Sequence, residues 1–183
     1  MLGRTGVGKS SFINAAFGVT LARTDPFEAC TKVVEYFVHA GASEICLIDT
    51  PGLAEDTEVR DRKYLALIKR DVDFRQLTSA IYVSRLNDTR MSGDEQRSLA
   101  LLLEQIPTCF YGAMTLVLTF AASVAQNRVE IATTARQQQI QDFVRSRPPC
   151  FPGMQSWSFN RVLMVDNVVD NWATDCKPIK AFL

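Results

Sequence analysis

A glycine-rich segment, G-R-T-G-V-G-K-S, runs from Gly3 to Ser10. Gly8 permits backbone angles that a side chain would block, so that successive N–H groups can converge on a phosphate. Lys9 is spaced to reach the β- and γ-phosphates of a nucleotide, and Ser10 is spaced to ligate Mg²⁺. The segment therefore predicts a phosphate-binding loop that contacts a nucleotide through Gly3, Arg4, Thr5, Gly6, Val7, Gly8, Lys9, Ser10 and Ser11.

A second motif, C-L-I-D-T-P-G, runs from Cys46 to Gly52. Asp49 lies at the carboxyl end of the apolar strand in this motif. From there its carboxylate can contact Mg²⁺ through a water molecule bound to the ion. The N–H of Gly52 can then meet a γ-phosphate. An ordinary strand that ends in a Pro-Gly turn explains this motif alone. It does not explain the pair of motifs, whose separation of about 40 residues leaves room for a helix, a switch loop and a hairpin.

The polar stretch from Val19 to Thr31 is typical of a switch segment. A switch of this kind needs a threonine that closes over Mg²⁺ and the γ-phosphate, so that the loop orders with nucleotide triphosphate and relaxes after hydrolysis. Thr31 stands directly before a strand-like run and is the first choice for this role and for the metal. Thr24 is the second choice, and the alternative is that both are plain loop residues.

Strand-like and helix-like patterns alternate along the chain, which predicts an α/β fold with a largely parallel sheet. The short link Gly41-Ala42-Ser43 joins two strand-like runs and predicts one antiparallel hairpin. Ser92 and Glu95 form a capping box that predicts a helix start. The predicted helices are 10–17, 59–73, 92–106 and 129–147, and the predicted strands are 33–40, 44–49, 79–86, 114–121 and 161–167.

The composition of the 183-residue chain fits one domain. Twenty basic residues balance twenty acidic ones, so the electrostatic footprint of a nucleic-acid-binding protein is absent from the sequence. The five cysteines have no metal-ligand spacing, which favours free thiols in a reducing, cytoplasmic compartment. The apolar stretch 114–125 is shorter than the roughly 20 residues of a membrane-spanning helix, so no transmembrane segment is predicted.

Five blocks of the sequence together resemble a known family. G-R-T-G-V-G-K-S-S-F-I-N-A, I-D-T-P-G-L, Y-V-S-R-L-N-D-T-R, L-V-L-T-F-A-A-S and V-L-M-V-D-N follow the order and approximate spacing of septin-like GTPases of the AIG/Toc group. That group includes chloroplast-envelope import receptors and the immunity-associated GIMAP proteins. The resemblance covers nearly the whole chain. It implies the three-layer G-domain fold, GTP/GDP and Mg²⁺ as cofactors, and GTP hydrolysis.

The resemblance also implies where the guanine base is read. Most GTPases carry an N/T-K-x-D motif at the end of the fifth strand, where this chain has Thr119-Phe120-Ala121. Phe120 can stack on a base, although stacking does not distinguish guanine from adenine. The next base contact of the family matches V-D-N, so that Asp166 or Asn167 supplies a polar partner. Guanine preference therefore rests on the resemblance and on one acidic residue.

Catalysis is predicted to be slow. Leu53 follows the D-T-P-G motif at a position where some GTPases hold a glutamine that orients water. The resemblance implies a homodimer across the nucleotide face, with Arg90 of the block R-L-N-D-T-R as a trans-acting arginine or a dimer contact. A solvated surface arginine is the alternative. The predicted catalytic residues are therefore Lys9, Thr31, Gly52 and Arg90.

Two further interpretations stay open from the sequence: a P-loop ATP-binding protein, and a non-catalytic G-domain interaction module. Both are motivated by the altered base-reading segment. The strand before the phosphate loop is expected between the strands 44–49 and 79–86, and Met1 and Leu2 supply only its last residues. We therefore expect one G domain, 1–183, that is truncated at its N-terminus and short at its C-terminus.

Overall fold

The computed structural model describes residues 1–25, 30–39, 42–54, 57–147 and 154–165. Helices and strands alternate, as the sequence predicts. The strands are β1 (Glu35–His39), β2 (Ala42–Asp49), β3 (Ala80–Arg85), β4 (Met114–Thr119) and β5 (Arg161–Met164). The α-helices are α1 (Lys9–Phe17), α2 (Glu58–Asp71), α3 (Gly93–Gln105) and α4 (Val129–Arg145). Short 3-10 turns lie at Phe74–Gln76, Thr108–Ala113, Ala121–Ser123, Gln126–Arg128 and Met154–Ser156.

Strands β3, β4 and β5 form a parallel sheet in that order, with Ser84 opposite Leu118 and Leu116 opposite Val162. All six residues of β4 are buried, as expected of a central parallel strand covered on both faces. The strand β5 is shorter than the predicted 161–167, and the residues from 166 onward lie outside the described ranges.

Strands β1 and β2 form the predicted antiparallel hairpin, in which Phe37 lies opposite Leu47. Its connection at residues 40–41 lies outside the described ranges. Both side chains pack into the core cluster that contains α1. The hairpin therefore holds the carboxyl end of β2 close to the start of α1.

Side chains on the two faces of the parallel sheet alternate between two core clusters. On β3, Ile81 and Val83 pack on the side of α1, whereas Ala80 and Tyr82 pack on the side of α2, α3 and α4. The sheet is therefore the middle layer of three, and the helices form the outer layers.

The first four residues lie between the hairpin and the parallel sheet. Leu2 pairs with Tyr82 of β3, since its N–H donates to Ile81 O at 2.7 Å and its carbonyl accepts from Val83 N at 2.8 Å. Arg4 pairs with Leu53, just after β2. This is the position expected for the strand before the phosphate loop. An apolar cleft lined by residues of β2, α2 and β3 continues from Met1 and Leu2.

Helices α2 and α3 each begin at a side chain that caps the first turn. The Thr57 side chain accepts from the N–H of Arg60 at α2, and Ser92 Oγ accepts from the N–H of Glu95 at α3, at 3.1 Å. The Glu95 carboxylate turns into the core instead of returning to Ser92, so only half of the predicted capping box forms. Gly18, at φ 69°, ends α1.

None of the helices in the described ranges is long and apolar enough to cross a membrane.

Candidate nucleotide-binding site

The predicted phosphate loop turns sharply between Leu2 and the first turn of α1, where Ser11 is half-buried. Gly6 and Gly8 have backbone φ angles of 75° and 90°, which residues other than glycine rarely adopt. At Gly3, a Cβ atom would lie 2.5 Å from the carbonyl oxygen of Val83. Glycine is therefore required at Gly3 for the loop to approach β3, and at Gly6 and Gly8 for the curvature that turns N–H groups inward.

Lys9 is the first residue of α1 and its side chain is buried within the loop. Its Nζ donates to Gly3 O at 3.3 Å and to Arg4 O at 3.1 Å. The ammonium group therefore lies among the loop carbonyls, at the place where phosphate oxygens of a bound nucleotide can accept from it.

Three oxygen-bearing side chains from separate parts of the chain meet beside Lys9. Ser10 Oγ donates to Asp49 Oδ2 at 2.6 Å, and Thr31 Oγ1 donates to the same oxygen at 3.1 Å. The two hydroxyls are 3.2 Å apart. Thr24, the second choice for the switch threonine, is exposed and takes no part. Hydroxyl and carboxylate oxygens are the ligands that Mg²⁺ prefers, so this group fits a magnesium site.

Gly52 packs directly against the phosphate loop. A Cβ atom on Gly52 would lie 2.3 Å from Thr5 Oγ1 and 2.5 Å from Thr5 Cα. The next residue, Leu53, accepts from Thr5 N at 3.0 Å and donates to Gly3 O at 3.3 Å. Its side chain is only 1% exposed and belongs to the core, so it is directed away from the site.

Asp61 anchors the segment after D-T-P-G, and sequence reasoning missed it. Its Oδ1 accepts from the N–H of Ala54 at 2.7 Å, and Ala54 has a φ of 59°. Burial raises the pKa of the Asp61 carboxyl, while the Ala54 hydrogen bond and the charge of Arg97 oppose this shift. A polar residue on the mainly exposed first turn of α2 gave no signal of this role.

Asn14 anchors the beginning of the switch-like stretch. Its Oδ1 accepts from the N–H groups of Leu21 and Ala22, at 2.9 and 2.7 Å, and its Nδ2 donates to Ala22 O at 2.8 Å. The buried amide side chain thus fixes the path that the chain takes after α1.

The predicted base-reading residues have different environments. Thr119 is fully buried, and its hydroxyl lies 2.7 Å from Val7 O and 3.1 Å from Ser84 O, so it contacts the phosphate loop. Phe120 is half-buried, with a φ of 58°, and the Arg85 guanidinium lies 4.2 Å from the centre of its ring. Asp166 and Asn167 lie outside the described ranges.

The predicted catalytic arginine, Arg90, is exposed on the segment between β3 and α3. Two residues earlier, Asp88 Oδ2 accepts from Arg4 Nη2 at 3.2 Å. Arg4 Nη1 also donates to Ser92 Oγ at 3.3 Å. The phosphate loop therefore contacts the segment that presents Arg90.

A buried polar network lies beneath that segment. Arg136 of α4 forms an ion pair with Glu95 of α3, and its Nη2 donates to Ser84 Oγ at 2.9 Å. Ser84 Oγ in turn donates to Glu95 Oε1 at 2.7 Å. Each of these residues is at most 3% exposed. Arg136 lies at helical spacing from Ala132 and Ile140, which fits its buried position, but its partners come from distant elements.

Comparisons with known proteins identify the family and the fold. A family model described as "50S ribosome-binding GTPase" matches residues 1–108. The translocase of chloroplast 90 of Arabidopsis thaliana is 33% identical over 132 residues, which cover 70% of this chain and 17% of that protein. The chain spans less than half the length of the first curated relatives that it matches.

Two solved structures of Toc33 from Arabidopsis thaliana are similar, each covering 91% of this chain and 68% of theirs at 26% identity. A dimerisation-deficient arginine-to-alanine mutant of Toc33 has a TM-score of 0.72. The complex of Toc33 with Mg²⁺ and GMPPNP has a TM-score of 0.69. The predicted G-domain fold is confirmed by these likenesses, and the chain belongs to this family of P-loop GTPases, related to the GTPases of the chloroplast translocase.

Proposed function

We propose that this chain binds GTP and GDP together with Mg²⁺, hydrolyses GTP slowly, and acts as a switch through pairing with a second copy. The convergence of Ser10, Thr31 and Asp49 beside Lys9 is the observation that carries the proposal. The chain thus has, in one place, a cation for phosphate, a set of oxygen ligands for magnesium and a threonine on the switch segment.

Each residue of the site has a separate role. Lys9 binds the β- and γ-phosphates, while the loop N–H groups and the N-terminus of α1 surround the β-phosphate. Ser10, Thr31 and Asp49 hold Mg²⁺, which offsets phosphate charge when it is bound. Gly52 presents its N–H to the γ-phosphate from a position fixed by contact with Thr5.

Slow turnover follows from Leu53. Its side chain is buried in the core, and leucine cannot orient water in any case. A second molecule that contributes Arg90 can supply the missing charge, since a trans-acting arginine contributes roughly 10³–10⁵ in rate. The dimerisation-deficient arginine mutant of Toc33 supports a role of an arginine in dimer contact in that relative. Arg90 is exposed, as a trans-acting arginine must be.

Guanine is the proposed base, and the septin-like AIG/Toc group, which includes the GIMAP proteins, is the proposed branch of the family. Phe120 lies at the end of β4, next to the phosphate loop contact of Thr119, and can stack on a base. Asp166 or Asn167 supplies the polar base contact. The complex of Toc33 with Mg²⁺ and GMPPNP supports a guanine nucleotide.

A single G-domain unit in a reducing, cytoplasmic compartment is the proposed setting. Among the described residues, Cys46 is a free thiol. Free cysteines are common in reducing compartments, where disulfides rarely persist. The proposed partners are a guanine nucleotide and a second copy of the chain, without nucleic acid.

Binding of a fluorescent GDP analogue, with and without Mg²⁺, tests the nucleotide and the metal together. We expect GTP to compete at least tenfold better than ATP, and Ser10→Ala to lose most of the Mg²⁺ dependence. Lys9→Ala should weaken binding about 10- to 100-fold, since hydrogen bonds to charged groups contribute about 1.5–3 kcal/mol. Lys63→Ala, an exposed lysine of α2, is the matched control.

Three results would contradict the proposal. Equal competition by ATP and GTP would favour the P-loop ATP-binding interpretation. Binding that does not respond to Mg²⁺ would remove the metal site. No nucleotide binding by a folded chain, with Lys9→Ala unchanged in every property, would favour the non-catalytic interaction module.

A further inference from the structure

The segment that presents Arg90 is held from two sides. We call residues 86–92 the Arg90 loop. On one side, the guanidinium of Arg4 binds Asp88 Oδ2 at 3.2 Å and Ser92 Oγ at 3.3 Å. The side chains of Arg4 and Asp88 are 20% and 29% exposed, so this ion pair is partly shielded from water. The Arg90 loop is thereby joined to the phosphate loop.

On the other side, α4 holds the Arg90 loop through Gln139. Gln139 Nε2 donates to the carbonyl oxygen of Thr89 at 3.1 Å. Gln139 Oε1 accepts from Arg136 Nη1 at 3.3 Å, which fixes the orientation of the amide. Arg136 is itself fixed by its buried contacts with Ser84 and Glu95. A rigid chain of contacts therefore leads from the core to the residue before Arg90.

These two contacts lie on the residues immediately before Arg90. Arg90 is exposed, so the backbone on its amino-terminal side has to set its direction if it is to reach a second molecule. Groups that act across an interface need their own supports, because a small misplacement loses the interaction. The separations of 84 residues for Arg4–Asp88 and 50 for Gln139–Thr89 show that the tertiary structure makes both supports.

We infer that Asp88 and Gln139 are positioning residues for Arg90: Asp88 ties the Arg90 loop to the phosphate loop, and Gln139 ties it to the buried network of α4. This inference rests on the proposed role of Arg90 at the contact with a second copy. Its consequence is that the phosphate loop acts on the dimer contact through Arg4, without passing through the switch segment.

The variants Asp88→Ala, Gln139→Ala and Gln139→Glu test the inference. Gln139→Glu keeps the acceptor for Arg136 but replaces the donor to Thr89 O with a carboxylate oxygen, which repels the carbonyl. Gln138→Ala is the matched control, because Gln138 is exposed and its Nε2 donates to Asp142 Oδ1 of its own helix. Asp88→Glu should restore part of the contact with Arg4.

The first measurement is backbone hydrogen–deuterium exchange of residues 87–91 in dilute, monomeric protein. We expect faster exchange in Asp88→Ala, Gln139→Ala and Gln139→Glu, and no change in Gln138→Ala. The second measurement is the dimer dissociation constant from sedimentation velocity with GMPPNP and Mg²⁺. It should rise about three- to tenfold in the same three variants, since single hydrogen bonds and partly exposed ion pairs have effects of this order. GDP affinity of the monomer should stay within about twofold.

The outcomes separate the inference from the proposed function. If hydrogen–deuterium exchange of residues 87–91 is unchanged in the three variants, the positioning role is overturned, regardless of the dimer dissociation constant. A dimer weakened by Arg90→Ala but not by the three variants would overturn the inference and leave the proposed function standing. A dimer unaffected by Arg90→Ala, or no dimer in the unmodified chain, would overturn the pairing through Arg90 and the inference that rests on it. A melting temperature that falls in Gln139→Glu alone would indicate a structural role.

Discussion

Ser10 Oγ lies 2.6 Å from Asp49 Oδ2, although 39 residues separate the two. The contact joins the first turn of α1 to the end of β2. It forms because the hairpin β1–β2 packs against α1 and brings the carboxyl end of β2 to the phosphate loop. Packing of the hairpin therefore positions the carboxylate next to the two hydroxyl groups that would hold a metal ion with it.

Thr31→Ala should lower the affinity for GMPPNP in Mg²⁺ by about tenfold and leave the affinity for GDP within about twofold. The reason is that a switch threonine contacts metal and γ-phosphate only in the triphosphate state, and the loss of a charge-assisted hydrogen bond is about 1.5 kcal/mol or more. Titration calorimetry with both nucleotides measures the ratio. Thr24→Ala is the control, because Thr24 is exposed, and equal effects of the two variants would contradict the role of Thr31.

Gly52→Ala should destabilise the fold and abolish nucleotide binding. The added Cβ would lie 2.5 Å from Thr5 Cα and 2.7 Å from Thr5 N, which are backbone atoms that cannot turn aside. Overpacking of this kind costs about 1–3 kcal/mol. Gly93→Ala at the start of α3 meets nothing within 4 Å and is the matched control. Urea unfolding of both variants compares their free energies, and equal stabilities would show that Gly52 is not constrained by packing.

Arg136→Met should lower the free energy of unfolding by about 3–5 kcal/mol, because it leaves the buried Glu95 carboxylate without its charged partner. The double variant Arg136→Met, Glu95→Gln should recover part of this loss, since no unpaired charge remains. Arg75→Met, whose side chain is 91% exposed, is the control and should change stability little. Additive effects of the two substitutions in a double-mutant cycle would indicate that the pair is not coupled.

Stability should depend on pH through Asp61. Burial raises the pKa of its carboxyl above the 3.8 of an ordinary aspartate, so the folded chain binds a proton more tightly than the unfolded chain does. The stabilising contribution is complete below the unfolded pKa and is lost as the pH rises through the folded pKa. Asp61→Asn keeps an acceptor for Ala54 N but does not titrate.

Urea unfolding of the unmodified chain and of Asp61→Asn, from pH 3.5 to 7.5, measures this difference. The stability of the unmodified chain relative to the variant should fall as the pH rises above about 4 and then level off. A difference that stays constant, or that rises with pH, would show that the Asp61 carboxyl is not held in the environment described.

Local chemistry made much of the site readable from the sequence. The glycine spacing predicts a sharply turned loop, and the structure has one; Asp49 at the end of an apolar strand is predicted as a metal ligand, and its carboxylate lies beside Ser10 and Thr31. The position of Thr31 before a strand favours it over Thr24 as the switch threonine, and in the structure Thr31 lies beside Ser10 and Asp49. Motifs of this kind are readable because the residues within each are neighbours in the chain, and because a parallel sheet brings the carboxyl ends of its strands together.

The supports of the site could not be read in the same way. Glu95 has the position of a capping-box residue, but its carboxylate binds Arg136, 41 residues away. The position of Thr119 at the end of a strand predicts a base contact. Its hydroxyl also donates to Val7 O, which is 112 residues away in the sequence, and nothing in the local pattern indicates that bond. Such contacts depend on the relative placement of whole helices and strands, which the pattern of a single segment does not specify.

The backbone pairs of Leu2 with Tyr82 and of Arg4 with Leu53 have a consequence for the stability of the whole domain. In the described ranges, the hairpin β1–β2 and the sheet β3–β4–β5 share no strand pair of their own, and backbone bonds of the first residues connect the two. The same residues continue directly into the predicted phosphate loop. Binding at the proposed nucleotide site is therefore thermodynamically linked to the association of the two sheets: at a hundredfold excess over its dissociation constant, a ligand that binds only the folded state stabilises it by about 2.7 kcal/mol. A nucleotide bound at the proposed site would therefore also stabilise the contact between the two sheets.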